Sequence, residues 1–170
     1  MNKKLSLVLF ASLLTASFAA ADDTAGATGF RALANTSIPY GNLAGLWYDD
    51  AYRINARWTG GGGSSEVRVR LEFDLYNPLL GWKSYRHLKV QWNGSADSRS
   101  LNRIYLLDRD GSYQKVAENS IYTTETTFST QVSRPNRFIL PSGGVKMKMD
   151  LRMTSQSLFR LDMVRVVFVE

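Results

Sequence analysis

Residues 66–75 read Glu-Val-Arg-Val-Arg-Leu-Glu-Phe-Asp-Leu. Val67, Val69, Leu71, Phe73 and Leu75 share one parity; Glu66, Arg68, Arg70, Glu72 and Asp74 share the other. In an extended chain successive side chains leave opposite faces, so this stretch predicts a strand with one side in a core and one in water. The same residues wound into a helix would spread around its axis and bury no single face.

The pattern recurs along the chain. Leu88, Val90 and Trp92 alternate with Lys89 and Gln91, and Thr126, Phe128, Thr130 and Val132 form a threonine-rich run. Ile104 to Leu107 is apolar on both faces, as a central strand would be. Asp108-Arg109-Asp110-Gly111 supplies a hairpin turn, and Tyr113 to Val116 provides the return strand. Phe138 to Leu140 reads as a further short strand. In "LPSGGVKMKMDLRM", Leu140 to Met153, Gly143-Gly144 is a turn. Met147, Met149, Leu151 and Met153 are then expected as a buried row, and Lys146, Lys148 and Arg152 as a solvated row interrupted by Asp150. Same-face side chains on a strand stand about 6.8 Å apart, a spacing suited to pairing with an acidic neighbour strand. In Phe159 to Val169 the apolar parity switches near Met163-Val164, which implies a bulge or burial on both faces. Strands at regular spacing with turn signals between them predict an all-β sandwich or barrel.

Composition narrows the function classes. The 170 residues contain no cysteine and a single histidine, His87. Thiol nucleophiles, cysteine-ligated zinc and multi-histidine metal sites are thereby excluded. Residues 1–21 combine Lys3-Lys4, an apolar run from Leu5 to Leu14 and Ala19-Ala20-Ala21, the pattern of a secretory signal peptide cleaved near Ala21. A secreted or periplasmic protein that is not membrane-spanning is expected, with 22–35 as a flexible N-terminus and 36–170 as the sandwich. Beyond residue 21, nineteen basic residues face fifteen acidic ones, and they are dispersed along the sequence. Nucleic-acid binders cluster such charge, so no nucleic-acid partner is expected. Thr59-Gly60-Gly61-Gly62-Gly63-Ser64-Ser65 is followed by neither a phosphate-binding Lys-Ser/Thr nor a helix pattern, and reads as a connector.

Five segments resemble a known family. They are "YGNLAGLWYDDAYRINA" (Tyr40 to Ala56), "LKVQWNGSADSRSLNRIYLLDRDGSYQKV" (Leu88 to Val116), "TTETTFS" (Thr123 to Ser129), "FILPSGGVKMKMDLRM" (Phe138 to Met153) and "SLFRLDMVRVVFV" (Ser157 to Val169). Their order and spacing are similar to those of the galactose-binding-like jelly roll, a β-sandwich module often appended to secreted bacterial hydrolases. The resemblance implies an all-β fold, a single antiparallel β-sandwich of roughly eight to ten strands, and a non-catalytic accessory-type module, here standing alone. It also implies a structural calcium near the meeting of first and last strands, for which Asp49, Asp50 and Asp162 are the candidate ligands. Calcium takes six to eight oxygens, and loop capping by Asp49 and Asp50 is the competing reading.

The candidate contact surface is the loop Tyr76 to His87. Asn77-Pro78 and Gly81 break the strand there, placing Trp82 and Tyr85 on a connection. Flat rings suit the apolar faces of sugars, and Tyr76, Asn77, Lys83 and Arg86 supply hydrogen bonds. Alternatively Trp82 folds back to cap the sandwich edge. For catalysis, His87 with Ser84 and an aspartate is the one available triad, and it lacks a nucleophile-elbow sequence. The expected function is therefore a non-enzymatic binding module for a glycan or a cell-surface or matrix component. The alternatives are a structural protein whose sandwiches self-associate as homo-oligomers, and a small outer-membrane barrel. Exposure of Trp82 and Tyr85 favours binding, and their burial favours assembly.

Overall fold

The computed structural model describes residues 22–41, 46, 53–59, 67–82, 84–153 and 158–170; of residues 39, 40, 81 and 82 it describes the backbone alone. The ten strands are β1 (Asp23–Ala32), β2 (Thr36–Tyr40), β3 (Ile54–Trp58), β4 (Val67–Tyr76), β5 (His87–Ala96), β6 (Ser100–Leu107), β7 (Tyr113–Ile121), β8 (Thr126–Ser133), β9 (Gly144–Met153) and β10 (Leu158–Val169). All described pairings are antiparallel.

They form a β-sandwich. One layer runs β7-β6-β9-β4-β1; the other has β8-β5-β10 with β3 and β2 beyond. One edge of β10 is shared, Leu158 to Leu161 pairing with β3 and Arg165 to Phe168 with β1. From Gly26 onward β1 pairs with β4 instead, which stitches the layers together at that side.

The inward rows are those that alternation singles out. Val69, Leu71, Phe73 and Leu75 of β4 are at most 1% exposed, and so are Val145, Met147, Met149 and Leu151 of β9. Against them, in one continuous cluster, lie Leu88, Val90 and Trp92 of β5 and Phe159, Leu161, Val164, Val166 and Phe168 of β10. Trp92 stacks on its register partner Phe128 at 4.3 Å and meets Phe159 edge-on at 6.5 Å. Each fully buried side chain of this size contributes about 1.5–3 kcal/mol through removal of its surface from water.

The parity switch in β10 is a bulge between Leu161 and Met163. It restores the inward direction for Val164 after Leu161. The Asp110-Gly111 hairpin forms as expected: Gly111 adopts φ 87°, and Asp110 Oδ1 accepts from the Ser112 N–H at 2.8 Å. Gly143, at φ 80°, makes the turn into β9, where its N–H donates to the Leu140 carbonyl at 2.9 Å.

Three expectations are corrected. Segment 22–35 is not a flexible terminus, since Asp23–Ala32 is β1, with Ala25, Gly26 and Ala27 buried between β10 and β4. Small residues carry little hydrophobic signal, yet a strand inserted between two others has room for little else. Phe138 to Leu140 is not a strand: Pro135–Phe138 is a 3₁₀ turn, tied to the hairpin by the Arg137–Asp108 ion pair and by Arg109 Nε donating to the Ile139 carbonyl at 2.7 Å. The outer-membrane barrel reading is overturned because the apolar rows converge on a closed core and the charged rows face outward. A lipid-facing barrel requires the reverse. No described helix is long and apolar enough to cross a membrane. The expected signal peptide and most of the glycine connector lie outside the described residues.

Candidate functional site

The loop singled out in the sequence serves mainly to anchor the fold. Asn77 Nδ2 donates to the Thr24 carbonyl at 2.9 Å, while its Oδ1 accepts the Leu79 N–H at 2.9 Å and so starts the 3₁₀ turn Pro78–Trp82. Tyr85 corrects the expectation of a sugar platform. It is 5% exposed, its ring centroid lies 5.0 Å from that of Phe168, and its hydroxyl donates to Asp23 Oδ2 at 2.8 Å. An aromatic ring three residues beyond a strand-breaking turn is drawn into the open end of the core, where burial is worth more than exposure. Arg86 is exposed, with its N–H held by the Val169 carbonyl at 2.9 Å. Tyr76 is 43% exposed at the end of β4. The Trp82 side chain and Lys83 lie outside the described residues.

A different surface gathers the chemistry of a binding site. The outward rows of β7, β6, β9, β4 and β1 form one face, on which strand registry sets the neighbours. Lys148 lies opposite Glu72 on one side and Tyr105 on the other; Asp150 lies between Arg70 and Arg103. The lysine row thus pairs with an acidic neighbour strand, as its spacing suggested, and Lys146 Nζ meets Asp74 Oδ1 at 2.7 Å. Near the middle of this face is a concavity of about 220 Å³ lined by Leu33, Arg70, Tyr105, Tyr113, Lys148 and Asp150.

Two half-buried tyrosines give it its character. Tyr113 donates its hydroxyl to Glu72 Oε2 at 2.8 Å, and the Lys148 ammonium sits 3.7 Å from its ring centroid. Burial, then the Glu72 carboxylate, pushes the Tyr113 phenol far above its ordinary range, so it stays a donor. Glu72, 7% exposed, also receives Arg31 at 2.5 Å. Toward β7, Arg103 at 2.7 Å and then Lys115 at 3.2 Å hold the Glu118 carboxyl below its usual range. Tyr76 has the same parity as Arg70, Glu72 and Asp74, and is the one loop candidate placed on this face by its strand.

A larger groove of about 330 Å³ runs between the edges of β7 and β8, lined by Gln114, Lys115, Gln131, Ser133 and Arg137 among others. Its one aromatic, Phe138, is 3% exposed. It therefore offers no ring face to a ligand, and the smaller concavity is the better site.

Alternation alone did not disclose Tyr105 and Tyr113, because each looks like an ordinary strand residue. Their convergence depends on β6 lying between β7 and β9. The one available signal was the outward parity of Tyr105, opposite to that of Ile104 and Leu106. For the expected calcium, Asp162 is buried in β10 at 2% exposure, whereas Asp49 and Asp50 lie outside the described residues. Among the described residues no three His, Cys, Asp or Glu side chains are grouped to hold a metal ion.

No family model matches the sequence, and no curated protein matches it. Solved structures do. The CBM22-1 xylan-binding domain of Paenibacillus barcinonensis Xyn10C aligns with a TM-score of 0.54 at 12% identity, over 88% of this chain and 97% of that domain. TmCBM61, solved in complex with β-1,4-galactotriose, aligns with a TM-score of 0.51 at 11% identity, over 85% and 91% of the two chains. An exo-β-agarase aligns with a TM-score of 0.54 at 12% identity, this chain covering 23% of it. The jelly-roll β-sandwich of this protein is the fold of carbohydrate-binding modules.

Proposed function

We propose that the protein is an exported, non-catalytic module that binds a glycan chain across the outer face of β7-β6-β9-β4-β1. The observation that carries this reading is the concavity in which Tyr105 and Tyr113 stand among Arg70, Lys148 and Asp150. Aromatic rings cover the apolar faces of pyranoses, and fixed charged groups meet their hydroxyls in charge-assisted hydrogen bonds. Support also comes from the fold shared with the xylan-binding and galactotriose-bound modules. Tyr76, exposed at the end of β4, extends the surface toward one end of the sandwich, where longer chains would reach.

A glycan array followed by affinity electrophoresis on the hits tests the reading. At least one polysaccharide should bind, and Tyr105→Ala should weaken it roughly thirtyfold, the effect of removing a central aromatic anchor. No binding to any glycan, together with concentration-dependent multimers in light scattering, would favour the assembly alternative.

A further inference from the structure

The outer face is charged well beyond what hydroxyl recognition requires. Arg31, Arg68, Arg70, Arg103, Lys115, Lys146, Lys148 and Arg152 stand on its described strands, against Glu72, Asp74, Glu118 and Asp150. Eight cations and four anions leave an excess of four. After residue 21 the remaining eleven basic and eleven acidic residues balance. The described strands thus gather an excess of four positive charges on one face, although in sequence these residues are dispersed over more than a hundred positions.

Each acid on the face is already engaged. Glu72 takes Arg31 and the Tyr113 hydroxyl; Asp74 takes Lys146; Glu118 takes Arg103 and Lys115; Asp150 lies 3.9 Å from Arg68. Arg70 and Lys148 have no carboxylate partner among the described residues, and both line the concavity. Arg70 reaches only the Ala34 carbonyl, at 3.5 Å, and Lys148 rests on the Tyr113 ring. Asp150 shares the lining, but one of its carboxylate oxygens is sealed from solvent and it stands in register with Arg70 and Arg103.

Building on the glycan-binding reading, we infer that the ligand is an anionic polysaccharide, whose carboxylate or sulfate groups are received by Arg70 and by Lys148, held over the Tyr113 ring, while its rings lie on Tyr105. A neutral glycan would meet the surplus only through its hydroxyls, and would have to displace water from cations that have no carboxylate partner. An anionic one exchanges that water for charge-assisted bonds, bidentate at the Arg70 guanidinium. The surplus also attracts a polyanion over about a Debye length, with a dependence on salt that hydroxyl recognition lacks.

Affinity measurements on matched polymers test this: agarose against its sulfated relative carrageenan, and xylan against polygalacturonate, with a single-stranded oligonucleotide as a non-glycan polyanion. At low salt at least one charged polymer should bind tenfold or more tightly than its neutral counterpart, and the pair that does so identifies sulfate or carboxylate as the recognised group. Arg70→Gln and Lys148→Met should each lower that affinity at least fivefold and flatten its salt dependence, with Arg70→Lys between. Arg160→Ala, on the opposite layer, should leave it unchanged. Circular dichroism and thermal melting confirm that each variant folds. Neutral polymers binding as tightly as charged ones, insensitive to Arg70→Gln and Lys148→Met, would overturn the inference and leave the glycan-binding reading standing. Failure of every polysaccharide would overturn both. Equal affinity for the oligonucleotide would overturn the inference in favour of a general polyanion surface.

Discussion

The Lys148 ammonium lies 3.7 Å from the centroid of the Tyr113 ring, although 35 residues separate the two in sequence. Antiparallel pairing of β9 with β6, and of β6 with β7, brings them together. The contact fixes a cation in the middle of the proposed binding face, and the Tyr113 hydroxyl is at the same time held by Glu72.

That hydrogen bond has a consequence at alkaline pH. The folded chain keeps the Tyr113 proton to higher pH than the unfolded chain, whose phenols ionise near about pH 10. Stability from this group is intact below that value and is lost as pH rises beyond it. The melting temperature of the wild type should therefore fall more steeply between about pH 9 and about pH 11 than that of Tyr113→Phe, which keeps the ring under Lys148 but has no proton to lose. Parallel melting curves over that range would show that the phenol ionises as freely in the folded state.

The loop around Tyr76 to His87 separates structural from binding aromatics. Tyr85→Phe removes the hydroxyl that bonds Asp23, so β1 loses a tether. It should lower unfolding free energy by about 1.5–3 kcal/mol in urea titrations, the worth of a hydrogen bond to a charged group. Glycan affinity should not change. Tyr105→Ala should weaken the binding of long and short glycans alike. If Trp82→Ala abolishes all binding while Tyr105→Ala has no effect, the site lies on the loop rather than on the sheet.

The two faces of β9 should respond oppositely to truncation. Met149, 0% exposed and in register with Leu71 and Ile104, leaves a cavity when cut to alanine, at a cost of about 2–5 kcal/mol. Lys146→Ala removes only an exposed ion pair with Asp74, worth less than about 1 kcal/mol. Equilibrium unfolding distinguishes the two. Comparable losses would mean that the charge ladder, and not the apolar row, holds this layer together.

The sequence by itself determined the strands and their buried sides. Period-two alternation in β4 and β9 names every inward residue, because a strand offers only two faces and water sorts side chains between them. The parity switch in β10 marked the bulge, and Asp110-Gly111 marked the hairpin. Alternation could not reveal β1, whose alanines and glycines are buried for want of space and not for hydrophobicity, nor the fate of Tyr85, which depends on Phe168 at the far end of the chain. Tertiary structure alone decided the candidate site. Tyr105, Tyr113, Arg70 and Lys148 belong to four strands, and no local pattern records which strands become neighbours. The same holds for charge. Dispersed along the sequence it marked no partner; strand order gathers eight cations and four acids on one face, where repulsion among the cations is relieved by the acids placed between them and, on the inference drawn above, by the ligand.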